Sequence, residues 1–387
     1  MIELEQVPLA SLDLLRQITD RHVIDQLLTE PTLTRAEIAA RTGISKPTIS
    51  ESVRRLVEAG LLAEAGQQQS GRRGRAGVGY TLRDDLGIAV ALSAGPDGLI
   101  AETLDVRGQV LRRVQRETSA PVAAAQLDPL LSDLVDDALV EPPGRVRAAA
   151  LSVAGPVDRA SGRLVHLPDS PFLVDELDPR RLLGDRLGPE LVVDNDVNWA
   201  ALAEHHSGAA GDLADFCYCH LGHGLGGAVV RDGEIVRGSE GLAGEIAHVL
   251  TAGPGGRTMR LVECFGALDL LQAGSAAIDV DRVSDVLTGR TVASRRRRDA
   301  IVEAVAGVIG SISALLDPAG IVVGGPWSAA ADLVDRLAQR VGEVSVIALP
   351  VRLAALGEEA PLHGARLAAV RDARNSLVGP LAREIAG

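Results

Sequence analysis

Aromatic side chains are nearly missing from this 387-residue chain: two Trp, two Tyr and three Phe make up only 2% of it. Its cores must therefore be aliphatic, and no stacking platform for single-stranded nucleic acid can be assembled. Lysine is scarcer still, with Lys46 the only one in an arginine-rich chain. Three cysteines (Cys217, Cys219 and Cys264) make no disulfide framework and match no zinc spacing on their own. Cys217 and Cys219 fall on one expected strand and are read as facing opposite sides of it. No apolar run reads as long enough to cross a bilayer, and no charged-then-apolar secretory start is seen. The expectation is a cytoplasmic protein with no membrane partner.

What is present points to a multi-domain globular chain, 46% hydrophobic and 24% charged. Its net charge of −13 is unevenly spread: residues 1–83 carry +1, and residues 34–83 alone carry +5. A basic patch on an acidic body offers one surface to a polyanion and repels it elsewhere.

The basic patch has a recognisable pattern. Leu12, Leu15, Ile18, Ile24, Leu27 and Leu28 sit at helical spacing in residues 11–29. Thr34 caps a short helix, TRAEIAART, with Glu37 at the capping-box position and Gly43 at its end. Ser45 caps a second, SKPTISESVRRLVEAG, with Pro47 in the first turn and Ile49, Val53 and Leu56 as its buried stripe. Small Ala39 sits at their crossing, and two strands around a Gly/Arg-rich tip follow. The unit reads as a winged helix-turn-helix, whose second helix enters the major groove N-terminal end first. Ser45, Lys46, Thr48 and Ser50 are then expected at base edges or phosphates, with Arg54 and Arg55 further along. Arg72, Arg73 and Arg75 of the wing would meet the backbone or minor groove.

From residue 84 strands alternate with helices, the pattern of an α/β architecture. Two glycine-turn hairpins, each opening a lobe, suggest duplicated halves around a cleft. Between them "DNDVNWAALAEHH" (194–206) sets Asp196 after a buried strand. From the residues alone, Asp196 is a catalytic base, a ligand clasp or a helix cap. His205, His206 and the run Arg295–Arg298 read as solvated surface.

Six segments in order, GPVD (155–158), NDVNWAALAE (195–204), GHGLGG (222–227), RGSEGLAGEIAH (237–248), DPAGIVVGG (317–325) and LGEEAPLHGARLAAV (356–370), resemble the ROK family of repressors and sugar kinases. The resemblance implies an actin-like, two-lobed sugar kinase (ribonuclease H-like) fold behind the winged helix. The expected division is 1–83 for the head and 84–194 for the first lobe, completed by about 365–387. Residues 195–364 form the second lobe. The family's sugar site would fall on Asn195, Asp196, Glu245, His248 and Glu263, where carboxylates and an amide accept from and donate to vicinal hydroxyls. Two departures are Ala247, in place of a glycine before the histidine, and Asp169, where the family often has an asparagine facing the sugar.

The phosphate side departs further. The family's Asp-x-Gly-Gly-Thr-Lys loop is represented by SAGPDG (93–98), with Ser93 for the Asp, Pro96 for the second Gly, Asp97 for the Thr and Gly98 for the Lys. Proline removes an amide donor, and Asp97 adds negative charge where triphosphate would lie. At about 4 Å two like charges cost on the order of 4 kcal/mol at an effective dielectric near 20. His223 replaces a threonine in the second glycine loop, and Pro326 follows Gly324 and Gly325. The family's zinc-clasp cysteines align with Pro254, Gly256 and Leu261, none of which binds zinc. The expectation is a non-enzymatic regulator without cofactor or metal: a sugar-responsive repressor, binding palindromic duplex DNA as a homodimer or tetramer. Its rivals are an ATP-dependent hexose kinase that keeps a DNA-binding head, and a regulator answering to a non-sugar effector.

Overall fold

The computed structural model describes residues 12–378 except 69–76, 119, 166, 168–169, 174–175, 189–190 and 331. Asp169 and the wing residues Arg72, Arg73 and Arg75 lie outside the described residues.

The head comprises α1 (Leu12–Thr29), β1 (Leu33–Thr34), α2 (Arg35–Thr42), α3 (Lys46–Glu58), β2 (Leu62–Gln68) and β3 (Gly77–Leu82), the strands pairing in the order β1-β3-β2. The expected caps are in place. The Thr34 hydroxyl accepts from the Glu37 amide while the Glu37 carboxylate accepts from the Thr34 amide, and Gly43 closes α2 in the left-handed region. Ile49, Val53 and Leu56 are buried on α3. The stripe expected of α1 holds only in its second half: Val23, Ile24 and Leu27 are buried, whereas Leu15 and Ile18 are exposed.

The body is laid out twice on one plan. First come β4 (Ile88–Gly95), β5 (Gly98–Leu104), β6 (Val110–Arg116), α4 (Ala124–Ala138), β7 (Val146–Val153), α5 (Pro179–Leu187) and β8 (Val192–Asn195). After α6 (Asp196–Ser207) follow β9 (Phe216–Leu221), β10 (Leu225–Arg231) and β11 (Glu234–Val236). A small ribbon of β12 (Leu250–Ala252) and β13 (Thr258–Arg260) leads to α7 (Leu261–Ala267), α8 (Val280–Thr288) and α9 (Val292–Leu316). The chain ends with β14 (Ile321–Gly324), α10 (Leu333–Val344), β15 (Val351–Leu353) and α11 (Ala360–Asn375). The two sheets run β6-β5-β4-β7-β8 and β11-β10-β9-β14-β15, each an antiparallel meander extended by two parallel strands. Duplicated halves are what the two hairpins suggested.

Five layers result. Helices α4 and α5 cover one face of the first sheet, and α11 with Trp199 of α6 covers the other. Val197, Ala200 and Ala201 of the same α6 cover the second sheet, whose far face carries α7 to α10. Cys217 and Cys219, two apart on β9, share a face and one core, because strand side chains alternate with a period of two; the opposite-face expectation was wrong. Helix α9 is long and apolar enough to cross a membrane, against the reading that no such run exists. Ile301, Val305 and Ile309 are buried in the second lobe, as in a core helix, while Val292, Leu315 and Leu316 at the ends are exposed.

Helix α6 is wedged tightly. A Cβ on Gly364 of α11 would sit 2.0 Å from the Trp199 carbonyl oxygen, so the crossing admits only glycine. The Trp199 indole N–H donates to the Leu151 carbonyl at 3.0 Å. The buried Glu204 carboxylate accepts from the amides of Ala209, Ala355 and Leu356, tying the helix end to the segment after β15. Gly364→Ala should therefore cost about 3 kcal/mol by forcing the two helices apart. A thermal or urea midpoint unchanged from wild type would contradict that close approach.

Candidate functional site

A cleft of about 390 Å³ opens between the two sheets, lined by Asn195, Asp196, Glu245 and His248 and by both glycine hairpins. That is room for a small ligand. Asn195 and Asp196 arrive where β8 runs directly into α6. Asn195, not Asp196, is the cap: its side-chain oxygen accepts from the Val197 amide at 2.8 Å. The junction is fixed from behind by Asp194, which sequence reasoning passed over. This buried carboxylate accepts from the Asn195 amide and the Asn198 side chain, both at 2.8 Å, and pairs with Arg237 at 2.7 Å. An alternating Asp-Asn-Asp run was the available signal, with the inward-facing members of a strand end serving structure.

Asp196 is half-buried and lies in a repulsive field. Burial pushes its carboxyl up to about 7; the Val197 amide opposes this, and the Glu245 and Asp97 carboxylates reinforce it. Glu245 precedes a short 3-10 turn, Ile246–His248, held against β10 by the 2.7 Å bond from the Gly227 amide to the Gly244 carbonyl. Gly244, at φ +96°, brings its backbone so near that a Cβ would stand 2.0 Å from the Gly227 oxygen. Sequence reasoning also missed His220, a cleft-lining imidazole that burial pushes down to about 4.

Glu263 does not join the cluster. It is exposed on the first turn of α7, outside the cleft lining, and its carboxylate accepts from the Arg260 amide at 2.8 Å. The assignment of Glu263 to the sugar site is therefore corrected: the residue has the position and geometry of a helix-capping glutamate. Among the described residues no group of three or more His, Cys, Asp or Glu is arranged to hold a metal. Burial raises the Cys217 thiol to about 12 and the Cys219 thiol further, so neither is a ready thiolate.

At the other end of the cleft Pro96 and Asp97 form the β4–β5 turn, with Gly95 facing Gly98 and Ser93 inside β4 opposite Ile100. Asp97 faces His223 of the second glycine loop, Oδ1 to Nε2, at 3.6 Å. The imidazole holds the Asp97 carboxyl below its ordinary range, and the carboxylate raises the imidazole. Asp97 is largely exposed at the rim, where an ion pair is worth roughly 0–1 kcal/mol. Some backbone donors nearby are already used: the Gly222 amide bonds Gly224, the Gly227 amide bonds Gly244, and Pro96 has none.

The head presents the N-terminal end of α3 to solvent. Ser45, Lys46 and Thr48 are exposed and Ser50 is half-buried. The Ser45 hydroxyl accepts from the Thr48 amide at 3.4 Å and lies 2.7 Å from the Thr48 hydroxyl. Arg54 and Arg55 are otherwise engaged. Arg54 is held by Glu51 and Glu58, while Arg55 reaches across to Asp20 of α1 at 2.7 Å, with Ser52 bonding the same oxygen. Arg55 thus acts as a staple inside the head rather than as a free cation.

A profile described as ROK family matches residues 89–371, most of the chain, and one described as winged helix-turn-helix DNA-binding matches residues 16–63. The chain belongs to the ROK family. Among its relatives is the bifunctional enzyme NanE/NanK of Brucella melitensis, 33% identical over 225 residues, 57% of this chain and 43% of that protein. The xylose repressor of Caldicellulosiruptor bescii is 25% identical over 238 residues, 61% of this chain and 59% of the repressor. The chain thus spans about half the length of these curated relatives. A crystal structure of a ROK family transcriptional regulator, a homologue of the Escherichia coli MLC protein, superposes with a TM-score of 0.68 at 19% identity, covering 94% of this chain and 98% of that one. Winged helix and two-lobed ROK body are thus found in one chain, as the resemblance implied.

Two outcomes follow for this ROK protein. A folded-state pKa of about 7 against 3.8 unfolded makes the Asp196 carboxylate a liability. The cost is absent below pH 4, grows as pH rises through the interval and is complete above pH 7, with an upper limit of about 4 kcal/mol that water in the open cleft reduces. Asp196→Asn should raise the thermal midpoint of the ligand-free protein at pH 8, and the gain should shrink towards pH 5; a gain independent of pH would refute the burial argument. On DNA, Lys46→Ala should weaken binding about tenfold and flatten the salt dependence by about one counterion. Arg55→Ala should instead lower the head's stability and leave the salt slope alone.

Proposed function

We propose that this ROK chain is a sugar-responsive DNA-binding transcriptional regulator, acting as a repressor, with its kinase fold used as the sensor. The observation that carries the reading is one helix with two ends. The N-terminal end of α11 lies at the cleft, where Glu359, Pro361 and Leu362 line the wall. Sixteen residues later, about 24 Å at 1.5 Å per residue, its other end holds the head. There Asn375 accepts from Arg21 of α1 at 2.6 Å, and Leu377 enters the head core with Val106 and Leu86. Arg107 adds bonds to the Leu27 and Leu82 carbonyls of the head. A ligand that prefers one lobe arrangement would move α11 and with it the recognition helix, by differential affinity for two conformations.

On this reading Asn195, Asp196, Glu245 and His248 grip sugar hydroxyls, with Asp169 a further candidate. Ser45, Lys46, Thr48 and Ser50 meet duplex DNA, and Arg72, Arg73 and Arg75 of the wing meet its backbone or minor groove. Two heads of a homodimer or tetramer would read the half-sites of a palindrome. A cytoplasmic location suits such a role. The bonded Gly222 and Gly227 amides, the proline at 96 and the Asp97 carboxylate argue against bound triphosphate, and so against an enzyme.

One observation favours the kinase alternative: a carboxyl near 7 is suitably poised to take a proton from a sugar hydroxyl. Two assays separate the readings. Fluorescence anisotropy on operator DNA at fixed salt should change at least tenfold in dissociation constant when the inducing sugar is added. Purified protein with magnesium ATP and a hexose panel should release no ADP beyond background. Turnover abolished by Asp196→Asn would establish the kinase instead. An effector that is not a sugar would leave DNA binding indifferent to the whole sugar panel.

A further inference from the structure

Three polar side chains in the cleft are left without a hydrogen bond. Tyr218 and His220, two apart on β9, point to the α6 side of the second sheet, and both line the cleft. His220 has a glycine on either side of it, Gly226 on β10 and Gly324 on β14. Both rings lean along the strand towards the cleft: a Cβ on Gly324 would collide with the Tyr218 hydroxyl, and one on Gly222 with His220 Nε2. Ser93 of β4 lines the same cleft from the first sheet. Tyr218 is 2% exposed, while His220 and Ser93 are half-buried, yet none of the three side chains hydrogen-bonds to another described residue. Buried polar groups are paired as a rule, and bare ones beside a cavity call for a partner within it. Burial pushes the His220 imidazole down to about 4, so it is neutral and keeps one N–H donor and one acceptor. Burial also raises the Tyr218 hydroxyl, with the Glu204 and Asp196 carboxylates adding to the effect, so it stays protonated as a donor.

We propose that Ser93, Tyr218 and His220 form a second sugar subsite, so that the cleft takes two glycosidically linked rings rather than one. The proposal rests on the sugar-sensor reading and specifies its ligand class. One ring meets Asn195, Asp196, Glu245 and His248, and the other meets the three bare groups. Asp196 joins the two sets, since it is repelled by Glu245 and in turn raises Tyr218. A sugar hydroxyl donates and accepts at one atom, so it pairs with a phenol, a serine hydroxyl and either tautomer of a neutral imidazole. The polar tips stand apart, Tyr218 over Gly324 of β14 and His220 beside Gly222 beyond the end of β9. Several hydroxyls around one ring cover that spread; a single small substituent does not. Ser93 belongs to the first lobe and Tyr218 and His220 to the second, so the added ring touches both lobes and favours their closed arrangement.

Calorimetry on the full chain compares single rings (glucose, xylose and N-acetylglucosamine) with linked pairs (maltose, cellobiose, xylobiose and chitobiose). At least one linked pair should bind tenfold or more tighter than its own monosaccharide. Tyr218→Phe, which removes one oxygen and keeps the ring, should weaken that pair about fivefold and leave the monosaccharide unchanged. Ser93→Ala should do the same from the other lobe. A thermal midpoint no lower than wild type shows that each variant is folded. A single ring that binds as tightly as every linked pair overturns the proposal while leaving the sugar sensor intact. A preferred pair whose affinity neither variant moves also overturns it, because the second ring then lies elsewhere. Equal weakening of both ligands by both variants overturns it too, by marking a structural role. If no sugar of either kind binds, the sugar-sensor reading falls first and the proposal with it.

Discussion

Both lobes depend on a single helix that neither owns. Helix α6 puts Trp199 into the core of the first sheet and Val197, Ala200 and Ala201 into that of the second. Its contact with α11 is so close that Gly364 has no room for a side chain. Asn195 and Asp196 stand at the N-terminal end of this shared beam, braced by the Asp194–Arg237 pair. Asn195 and Asp196 are therefore built on rigid elements with a supporting shell, the arrangement that holds a site to a fraction of an ångström. On the proposed reading, movement of one lobe against the other would pivot about this beam, and α11, its tight partner, would carry the displacement to the head.

The two ends of the cleft differ in what they demand of the chain. Hydroxyl recognition needs a few polar side chains, and Asn195, Asp196, Glu245 and His248 line the cleft on short, well-anchored segments. Phosphate recognition needs backbone amides and positive charge; here the Gly222 and Gly227 amides are bonded within the protein, and Pro96 has none.

Much of this was readable in the residues. Capping residues fix helix ends locally, so Thr34, Glu37, Gly43 and Ser45 were placed from sequence. The duplicated sheets followed from two glycine-turn hairpins. Long-range partnerships were hidden: that Arg55 would be taken by Asp20, thirty-five residues earlier, or Glu263 by its own helix end, depends on tertiary geometry rather than on spacing. The meeting of Asp97 and His223 was hidden for the same reason. Each looked like an isolated loss from a loop, and only the folded chain brings the two together. The apolar length of α9 was passed over, although by length and composition a buried helix and a membrane helix look alike.

The scarcity of lysine has a consequence in the folded chain. Lys46 stands exposed on the first turn of the recognition helix, and every other cationic side chain is a guanidinium or an imidazole. Reagents and enzymes that acylate primary amines thus find one side chain to modify, at the exposed start of α3 in the winged helix. Fluorophores or crosslinkers attached by that chemistry would report from the head without any engineered cysteine.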